Sequence, residues 1–164
     1  MSIPTPPPLH MQLSHAIKAG DLLTLRGLLR NHSDWLRLLG VDQVVDLPYG
    51  VACDGKWEIF ELLLSHGFGR RNGRLSGKLI AGICNANVSE SEMLSRVDDL
   101  LMRGADAGPP NPGLNLAAIR GYVSVVERLV NAGADVDDLA YDGFSALQNV
   151  AWRSRISGNM DNRR

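Results

Sequence analysis

The chain has 164 residues, of which 45% are hydrophobic and 21% charged, and its formal net charge is −1 at pH 7. This length suits one domain with a continuous apolar core, and the near-neutral charge argues against a nucleic-acid partner, because phosphate-binding proteins concentrate positive charge. No stretch approaches the roughly 18 apolar residues that a membrane-spanning helix needs. We therefore expect a soluble, cytoplasmic protein that binds neither nucleic acid nor membrane.

The sequence begins with a proline-rich segment, residues 1–8, which has neither the positive charge nor the apolar stretch of a secretory signal. We interpret it as an extended leader, and alternatively as a polyproline ligand for a partner. The two cysteines, Cys53 and Cys84, lie at no metal-ligand spacing from another cysteine or a histidine. We expect both thiols to be reduced core residues, and we expect no bound metal or cofactor.

Glycines recur along the sequence with a period of roughly 33 residues, a length that suits one small structural unit. Gly20 and Gly55 lie about one period apart, and Gly55 and Gly121 lie two periods apart. Gly67 and Gly133 have the same doubled separation as Gly55 and Gly121. Self-similarity of this kind predicts a stack of small units with an extended surface, and such a stack has no deep catalytic cleft by default.

The first two units are in phase with this period, since an apolar second helix is predicted after Gly20 and another after Gly55. The connection between them, residues 32–49, is slightly longer than the period requires and carries several apolar side chains, including Trp35. We expect it to form extra helix that covers the N-terminal end of the stack, because a terminal unit lacks a neighbour on one side.

Three arginines, Arg70, Arg71 and Arg74, cluster in the loop segment RRNGR that follows the second unit. At the tip of a loop they could grip an acidic partner, because a planar guanidinium binds a carboxylate through paired hydrogen bonds. A solvated loop is the alternative. Phosphate binding has less support, because no aromatic stacking platform accompanies the arginines.

The third unit departs from the period. Gly104 lies more than one period after Gly67 and less than one period before Gly133. We place the surplus between the two helices of this unit, near residues 85–93, and the deficit in the next loop, residues 107–113 (AGPPNPG). The prolines of that loop predict a short and stiff connection.

The fourth unit, residues 115–138, has the clearest pattern. Its first helix contains two small residues, Ala117 and Ala118, which allow paired helices and the next unit to approach closely. An apolar stripe at helical spacing follows Gly121 and is formed by Val125, Val126, Leu129 and Val130.

The segment AAIRGYVSVVERLVNAGADVD, residues 117–137, resembles the ankyrin repeat. The segment DGFSALQNVA, residues 142–151, resembles the start of the next repeat, with Gln148 in place of the usual histidine of the family and Ala146 in place of its proline. The weaker units extend the resemblance over residues 9–154, as about four and a half repeats. The resemblance implies an all-α solenoid of stacked helix-turn-helix units with short β-finger loops, and a role in protein binding.

The end of the sequence holds only part of a fifth unit. Residues 145–154 supply its first helix, and residues 155–164 form either a tail or the start of its second helix. A trimmed array of repeats and a natural half-unit cap both fit this ending, and the absence of a finished polar cap favours the first.

The resemblance implies that the first helices and the finger loops form a concave binding face. In the fifth unit the pattern predicts that Asn149 and Trp152 face solvent, and Trp152 has the additional interpretation of capping the core at the open end. Tryptophan and arginine dominate interface hot spots, so we expect the tryptophan and arginine side chains on this face to contribute most to binding. The predicted protein-binding residues are His15, Arg70, Arg71, Arg74, Ile119, Arg120, Tyr141, Asp142, Trp152 and Arg153.

No catalytic arrangement is visible in the sequence. It contains no nucleophile elbow, Walker loop or dinucleotide-binding glycine pattern. Two pairs of adjacent carboxylates, Asp98-Asp99 and Asp137-Asp138, do not face each other on a helix or loop, so we interpret them as solvated charge and not as proton-sharing pairs. We therefore expect no catalytic residues and no enzyme activity.

We predict a non-catalytic module, monomeric on its own, that binds a protein through its concave face and fingers. A sharper hypothesis is an inhibitor, such as an immunity protein that neutralises a bacterial toxin enzyme, because the protein is small, has 14 Arg and 3 Lys, and shows no appended effector domain. The alternative is the N-terminal, substrate-recruiting portion of a larger protein, which the incomplete fifth unit suggests.

Overall fold

A computed structural model describes residues 7–32, 34–109, 112–140 and 142–152, and this part of the protein is mostly helical. Residues 146–152 are helical and are named α10. Two short strands, β1 (Arg70–Arg71) and β2 (Arg74–Leu75), pair in an antiparallel hairpin. The all-α class with short β-structure in a loop is thereby confirmed. The other helices are α1 (Leu9–Ala19), α2 (Leu22–Asn31), α3 (Trp35–Leu39), α4 (Val41–Cys53), α5 (Trp57–Ser65), α6 (Lys78–Asn85), α7 (Glu90–Met102), α8 (Gly113–Arg120) and α9 (Val123–Asn131).

The helices associate in pairs that follow the sequence repeat. α1 contacts α2, α4 contacts α5, α6 contacts α7, and α8 contacts α9. Between pairs, the first helices contact each other, α4 with α6 and α6 with α8, and so do the second helices, α2 with α5 and α7 with α9. Short connections make consecutive helices neighbours, and the contacts between pairs place each pair beside the next one.

The periodic glycines lie at helix ends in the left-handed conformation. Gly20 and Gly121 follow α1 and α8 with φ of 72° and 73°, and each donates its backbone N–H to carbonyl groups of the last helical turn. A side chain is disfavoured at this φ, whereas glycine adopts it without steric cost. The period of glycines in the sequence therefore marks the period of helix ends in the structure.

The long connection between the first two units forms the extra helix that the sequence predicts. Trp35, at the start of α3, is buried with 4% of its surface exposed. Its ring centroid lies 5.6 Å from that of Phe68 and 5.9 Å from that of His32. Because α3 also packs against α4, the segment is tied to the second unit. Its role in covering the N-terminal end stays a prediction.

The surplus residues of the third unit are divided between a loop and a helix. The connection from α6 to α7 spans residues 86–89, whereas Gly121 and Tyr122 alone connect α8 to α9. In addition, α7 has 13 residues and α9 has 9. The predicted surplus near residues 85–93 is thus only part of the difference, and about one additional helical turn supplies the rest. The following loop includes residues 110 and 111, which lie outside the described residues.

One apolar cluster runs from α1 to α9. Small residues line the contact between α4 and α6, where a Cβ atom added to Gly82 would lie 2.9 Å from the carbonyl oxygen of Tyr49 and 3.1 Å from Cβ of Ala52. Ala117 is fully buried on α8, as the sequence predicts for a small residue at a helix contact, while Ala118 is only partly buried. The largest fully buried side chains are Phe60, Phe68, Leu13, Leu25, Leu29, Leu63, Leu79, Ile80, Ile83, Met93, Leu100 and Leu129.

Candidate protein-binding surface

The three predicted arginines lie on the hairpin of β1 and β2, named here the arginine finger (residues 70–75). The turn residues Asn72 and Gly73 have φ of 51° and 81°. Two consecutive residues with positive φ, here in an Asn-Gly sequence, are typical of the tight turns that match the twist of a two-stranded hairpin. The local sequence therefore explains why the arginines are carried on a hairpin.

The three guanidinium groups of the finger are in different environments. The Arg71 Nη2 atom donates to Asp42 Oδ1 at 2.7 Å, and the Arg70 Nη1 atom donates to the carbonyl of Gly73 at 3.1 Å. Arg74 is exposed, and its guanidinium makes no hydrogen bond or ion pair within the described residues. The finger thus presents three cations on an exposed loop, of which Arg74 is the one most available to a partner.

Arg120 has a structural role that its position in the repeat pattern does not reveal. Its Nη2 atom donates to the carbonyl of Asn85 at 2.7 Å, and its Nη1 atom donates to that of Ala86. These carbonyls lie at the C-terminal end of α6, where a cation is favoured by the helix dipole. Lys56 does the same for α1, since its Nζ atom donates to the carbonyls of Ile17 and Lys18. In both cases a basic residue fastens its unit to the unit before it.

Arg120→Ala is expected to lower the free energy of unfolding by about 1–2 kcal/mol, because it removes two charge-assisted hydrogen bonds to helix-end carbonyls. Urea unfolding followed by circular dichroism measures the change. Arg30→Ala is the matched control, because Arg30 is exposed at the end of α2 and makes no contact of this kind within the described residues. Equal stability of the two variants would show that the Arg120 contacts contribute nothing.

Two asparagines form a buried polar link between the fourth and fifth units. The expectation that Asn149 faces solvent is wrong, because only 8% of its surface is exposed. Its Nδ2 atom donates to Asn115 Oδ1 at 2.9 Å and to Asp142 Oδ2 at 3.0 Å. Asn115 in turn donates to the carbonyl of Phe144 at 2.9 Å. Buried amides need such partners, so the network holds the loop between α9 and α10 against these two asparagines, on α8 and α10.

A cavity of about 220 Å³ lies on the side of the first helices, next to this network. It brings together two predicted site residues, Ile119 and Asp142. Tyr49, which periodicity alone does not select, also lines the cavity. The full lining consists of Tyr49, Asn85, Pro112, Asn115, Leu116, Ile119, Ala140, Asp142 and Asn149. Residues of four successive first helices therefore share one concavity.

The remaining predicted residues do not line this cavity. Trp152 is on α10, one period after Ile119, with 60% of its surface exposed. His15 is exposed on α1, and the arginine finger lies in the loop before α6. Tyr141 and Arg153 lie outside the described residues. The candidate residues are thus distributed over several units.

The two cysteines differ in their surroundings. Neither thiol forms a disulfide. Cys84 is buried, whereas Cys53 is half-buried and accepts a long hydrogen bond of 3.5 Å from Asn85 Nδ2. Burial raises the pKa of the Cys84 thiol to about 12, and the nearby positive charge of Arg120 offsets only part of this effect. A thiol in this environment is protonated at neutral pH and is a packing residue, not a nucleophile.

The adjacent carboxylates of α7 are paired with arginines. Asp98 accepts from Arg128 on α9, and Asp99 accepts from Arg103 at 2.7 Å. Both carboxylates remain partly exposed, and each belongs to an ion pair at the surface. Within the described residues, no three His, Cys, Asp or Glu side chains are placed to hold a metal ion. No described helix is both long and apolar enough to cross a bilayer.

Successive helix pairs with a loop between one pair and the next define a class of helical repeat proteins, and here Gly20, Gly55 and Gly121 join the helices of three pairs in the left-handed conformation. Residues 114–158 match the family model of ankyrin repeats, described as present in many copies. The resemblance to the ankyrin-repeat family is thereby confirmed for this segment, which includes α9, α10 and nearly all of α8. No curated protein matches the sequence. The ankyrin repeat indicates a protein–protein interaction module and, in general, a non-catalytic one.

Proposed function

We propose that the helix pairs form one solenoid, and that the protein recognises a protein partner through the face made by its first helices and finger loops. The observation that carries this proposal is the cavity shared by α4, α6, α8 and α10, because a continuous concave face requires successive first helices to contribute to one surface. Ile119 and Leu116 supply apolar contact there, and Asp142 supplies a polar group. Mixed apolar and polar lining of this kind suits a protein side chain.

In the finer form of the proposal, the partner is an enzyme that this protein inhibits, as an immunity protein inhibits a bacterial toxin. The arginine finger supports this form, because its cations suit an acidic surface and would accelerate association through long-range attraction. The guanidinium of Arg74, which has no partner within the described residues, is available for such a contact. The protein acts in the cytoplasm and as a monomer in this proposal, with no nucleic acid, membrane or cofactor involved.

The second candidate function is recruitment of substrates by an ankyrin portion of a longer protein. It is supported by an apolar groove of about 260 Å³ at the C-terminal side of the described helices. Leu147 borders this groove with 77% of its surface exposed. In a repeat array a following unit would cover such a face, since each unit buries its apolar side against its neighbour. The groove is lined by Leu114, Ala118, Val126, Val136, Ala146, Leu147 and Val150.

Trp152→Ala is expected to weaken binding of the natural partner by on the order of 2 kcal/mol, because an exposed tryptophan can bury a large area at an interface. It should change the free energy of unfolding by less than about 0.5 kcal/mol, since the side chain is exposed. The partner is first recovered by co-purification from the native host and identified by mass spectrometry. Affinity is then measured by calorimetry for the wild type and the variant.

The outcomes of this experiment separate the candidates. One recovered enzyme that loses activity when the protein is added supports the inhibitor, and several non-enzymatic partners support recruitment. A large loss of stability with unchanged affinity would assign Trp152 to the hydrophobic core and not to the binding face. Turnover by the isolated protein that a single substitution abolishes would overturn the non-catalytic assignment.

A further inference from the structure

The tip of the arginine finger carries the one Asn-Gly dipeptide of the sequence. Asn72 and Gly73 are both exposed, and both have positive φ. A Cβ atom at Gly73 would meet no other atom within 4 Å, so the space around this residue is open. Its backbone N–H donates no hydrogen bond within the described residues. The backbone nitrogen of Gly73 is therefore accessible and has no hydrogen-bond acceptor that would hold its proton.

We propose that Asn72 is a site of spontaneous deamidation that lowers the positive charge of the arginine finger. The backbone nitrogen of Gly73 loses its proton and attacks Cγ of Asn72, and a new C–N bond closes a five-membered succinimide ring. The bond from Cγ to the amide nitrogen Nδ2 breaks, and that nitrogen leaves as ammonia. Water then opens the ring at either carbonyl, which restores the Gly73 N–H and leaves aspartate or isoaspartate. The net reaction consumes one water and releases one ammonia.

The hairpin permits this reaction because it is short. Ring closure requires Asn72 to rotate its backbone out of the tight turn, which needs local opening of the finger. Each strand has only two residues, and beyond the pair Arg70–Leu75 a further backbone hydrogen bond, from the Ser76 N–H to the Gly69 carbonyl at 2.8 Å, closes the hairpin. Two-stranded hairpins are marginally stable by themselves, and exposed loops open at low free-energy cost. Glycine after the asparagine leaves the attacking nitrogen without the obstruction that a side chain would cause.

The product changes the electrostatics of the finger. A carboxylate at position 72 replaces a neutral amide in the turn that joins Arg71 to Arg74, and the net charge of the finger falls by one. The new carboxylate competes with an acidic partner for the guanidinium of Arg74, which has no other partner among the described residues. This consequence rests on the proposed function, whereas the modification itself rests only on the turn.

The modification is tested by ageing the purified full-length protein in buffer and digesting it, after denaturation, with a protease that cleaves after lysine. The fragment 57–78 contains Asn72 as its one asparagine and has no glutamine, so its mass reports on this site alone. We expect the fragment to become heavier by one mass unit with time, faster at higher pH because the attacking nitrogen must lose a proton. Ageing in water labelled with oxygen-18 should add the label to the product.

Two controls make the result decisive. Asn72→Gln keeps an amide in the turn but requires a larger ring, so its fragment should keep its mass. Asn131 is followed by alanine and serves as an ordinary asparagine in the same sample. Because the fragment 79–164 contains other asparagines as well, tandem mass spectrometry of that fragment is used to follow Asn131 by itself. The proposal is overturned if the wild-type fragment 57–78 is converted no faster than Asn131 or than the Asn72→Gln fragment. That outcome would leave the proposed protein-binding function untouched.

The effect on charge is tested separately with a fluorescent hexaglutamate peptide at low ionic strength. Asn72→Asp, which carries the charge of the product, should bind the peptide about two- to five-fold more weakly than Asn72→Gln, as expected for one exposed charge pair. Equal binding by the two variants would overturn the regulatory consequence. Equal binding by Asn72→Gln and by an Arg70→Glu/Arg71→Glu/Arg74→Glu triple variant would instead overturn the finger as an acidic-partner site.

Discussion

Replacing Trp35 by alanine is expected to lower the free energy of unfolding by about 3–5 kcal/mol, the usual range for removal of a large buried aromatic side chain. Trp35 lies between His32 and Phe68 and is almost completely buried. Its removal would leave a cavity between α3 and Phe68, which lies just before the arginine finger. Because α3 has five residues and could not persist alone, we also expect it to lose its helical structure. Urea unfolding gives the stability, and hydrogen exchange of the α3 amides reports the local loss.

Trp152→Ala is the matched control for this prediction, because it makes the same chemical change at an exposed position. Trp35→Phe is the second control. The indole Nε1 of Trp35 is buried without a hydrogen-bond partner among the described residues, so phenylalanine removes an unsatisfied donor and keeps most of the apolar surface. We expect this variant to stay within about 1 kcal/mol of the wild type. If Trp35→Ala were as stable as Trp152→Ala, α3 would not be anchored by its tryptophan.

The elements of the fold can be predicted because their signals are local. Gly20 and Gly121 occupy a conformation that few other residues adopt, so helix ends are visible as a period in the sequence. The glycine spacing also shows that the third unit is longer than the others. It does not show how the extra residues are divided between the loop and α7, since the additional turn of α7 has the same apolar spacing as the rest of the helix. Periodicity fixes which residues are helical more firmly than where a helix begins.

The candidate site is less predictable because contacts between units decide it. Asn149 occupies a position that is exposed in the repeat pattern. It is nevertheless buried, because it donates hydrogen bonds to Asn115 of the preceding unit and to Asp142 of the loop before α10. Arg120 is predicted as a binding residue from its exposed position, and its guanidinium is engaged by carbonyls of α6. The sequence spacing could have indicated both contacts, because Asn115 lies about one repeat period before Asn149, and Asn85 lies about one period before Arg120.

Gly82→Val is expected to destabilise the protein by about 3 kcal/mol, the upper end of the range for forcing extra atoms into a packed core. Gly82 lies in the middle of α6 and faces α4. Any Cβ there would lie 2.9 Å from the backbone oxygen of Tyr49, and a backbone atom cannot readily move away to remove this clash. The helices would have to separate, which would also open the cavity that Tyr49 lines.

The sign of the change from glycine to alanine makes this prediction specific. Alanine is the better helix former by about 1 kcal/mol, so Gly50→Ala should raise the free energy of unfolding, because Gly50 is exposed on α4 with open space around its Cβ position. Gly82→Ala should lower it, since the clash exceeds the gain in helix propensity. Thermal and urea unfolding of the two variants measure this difference directly. Stabilisation by both substitutions would mean that α4 and α6 are not held at the close approach on which a continuous concave face depends.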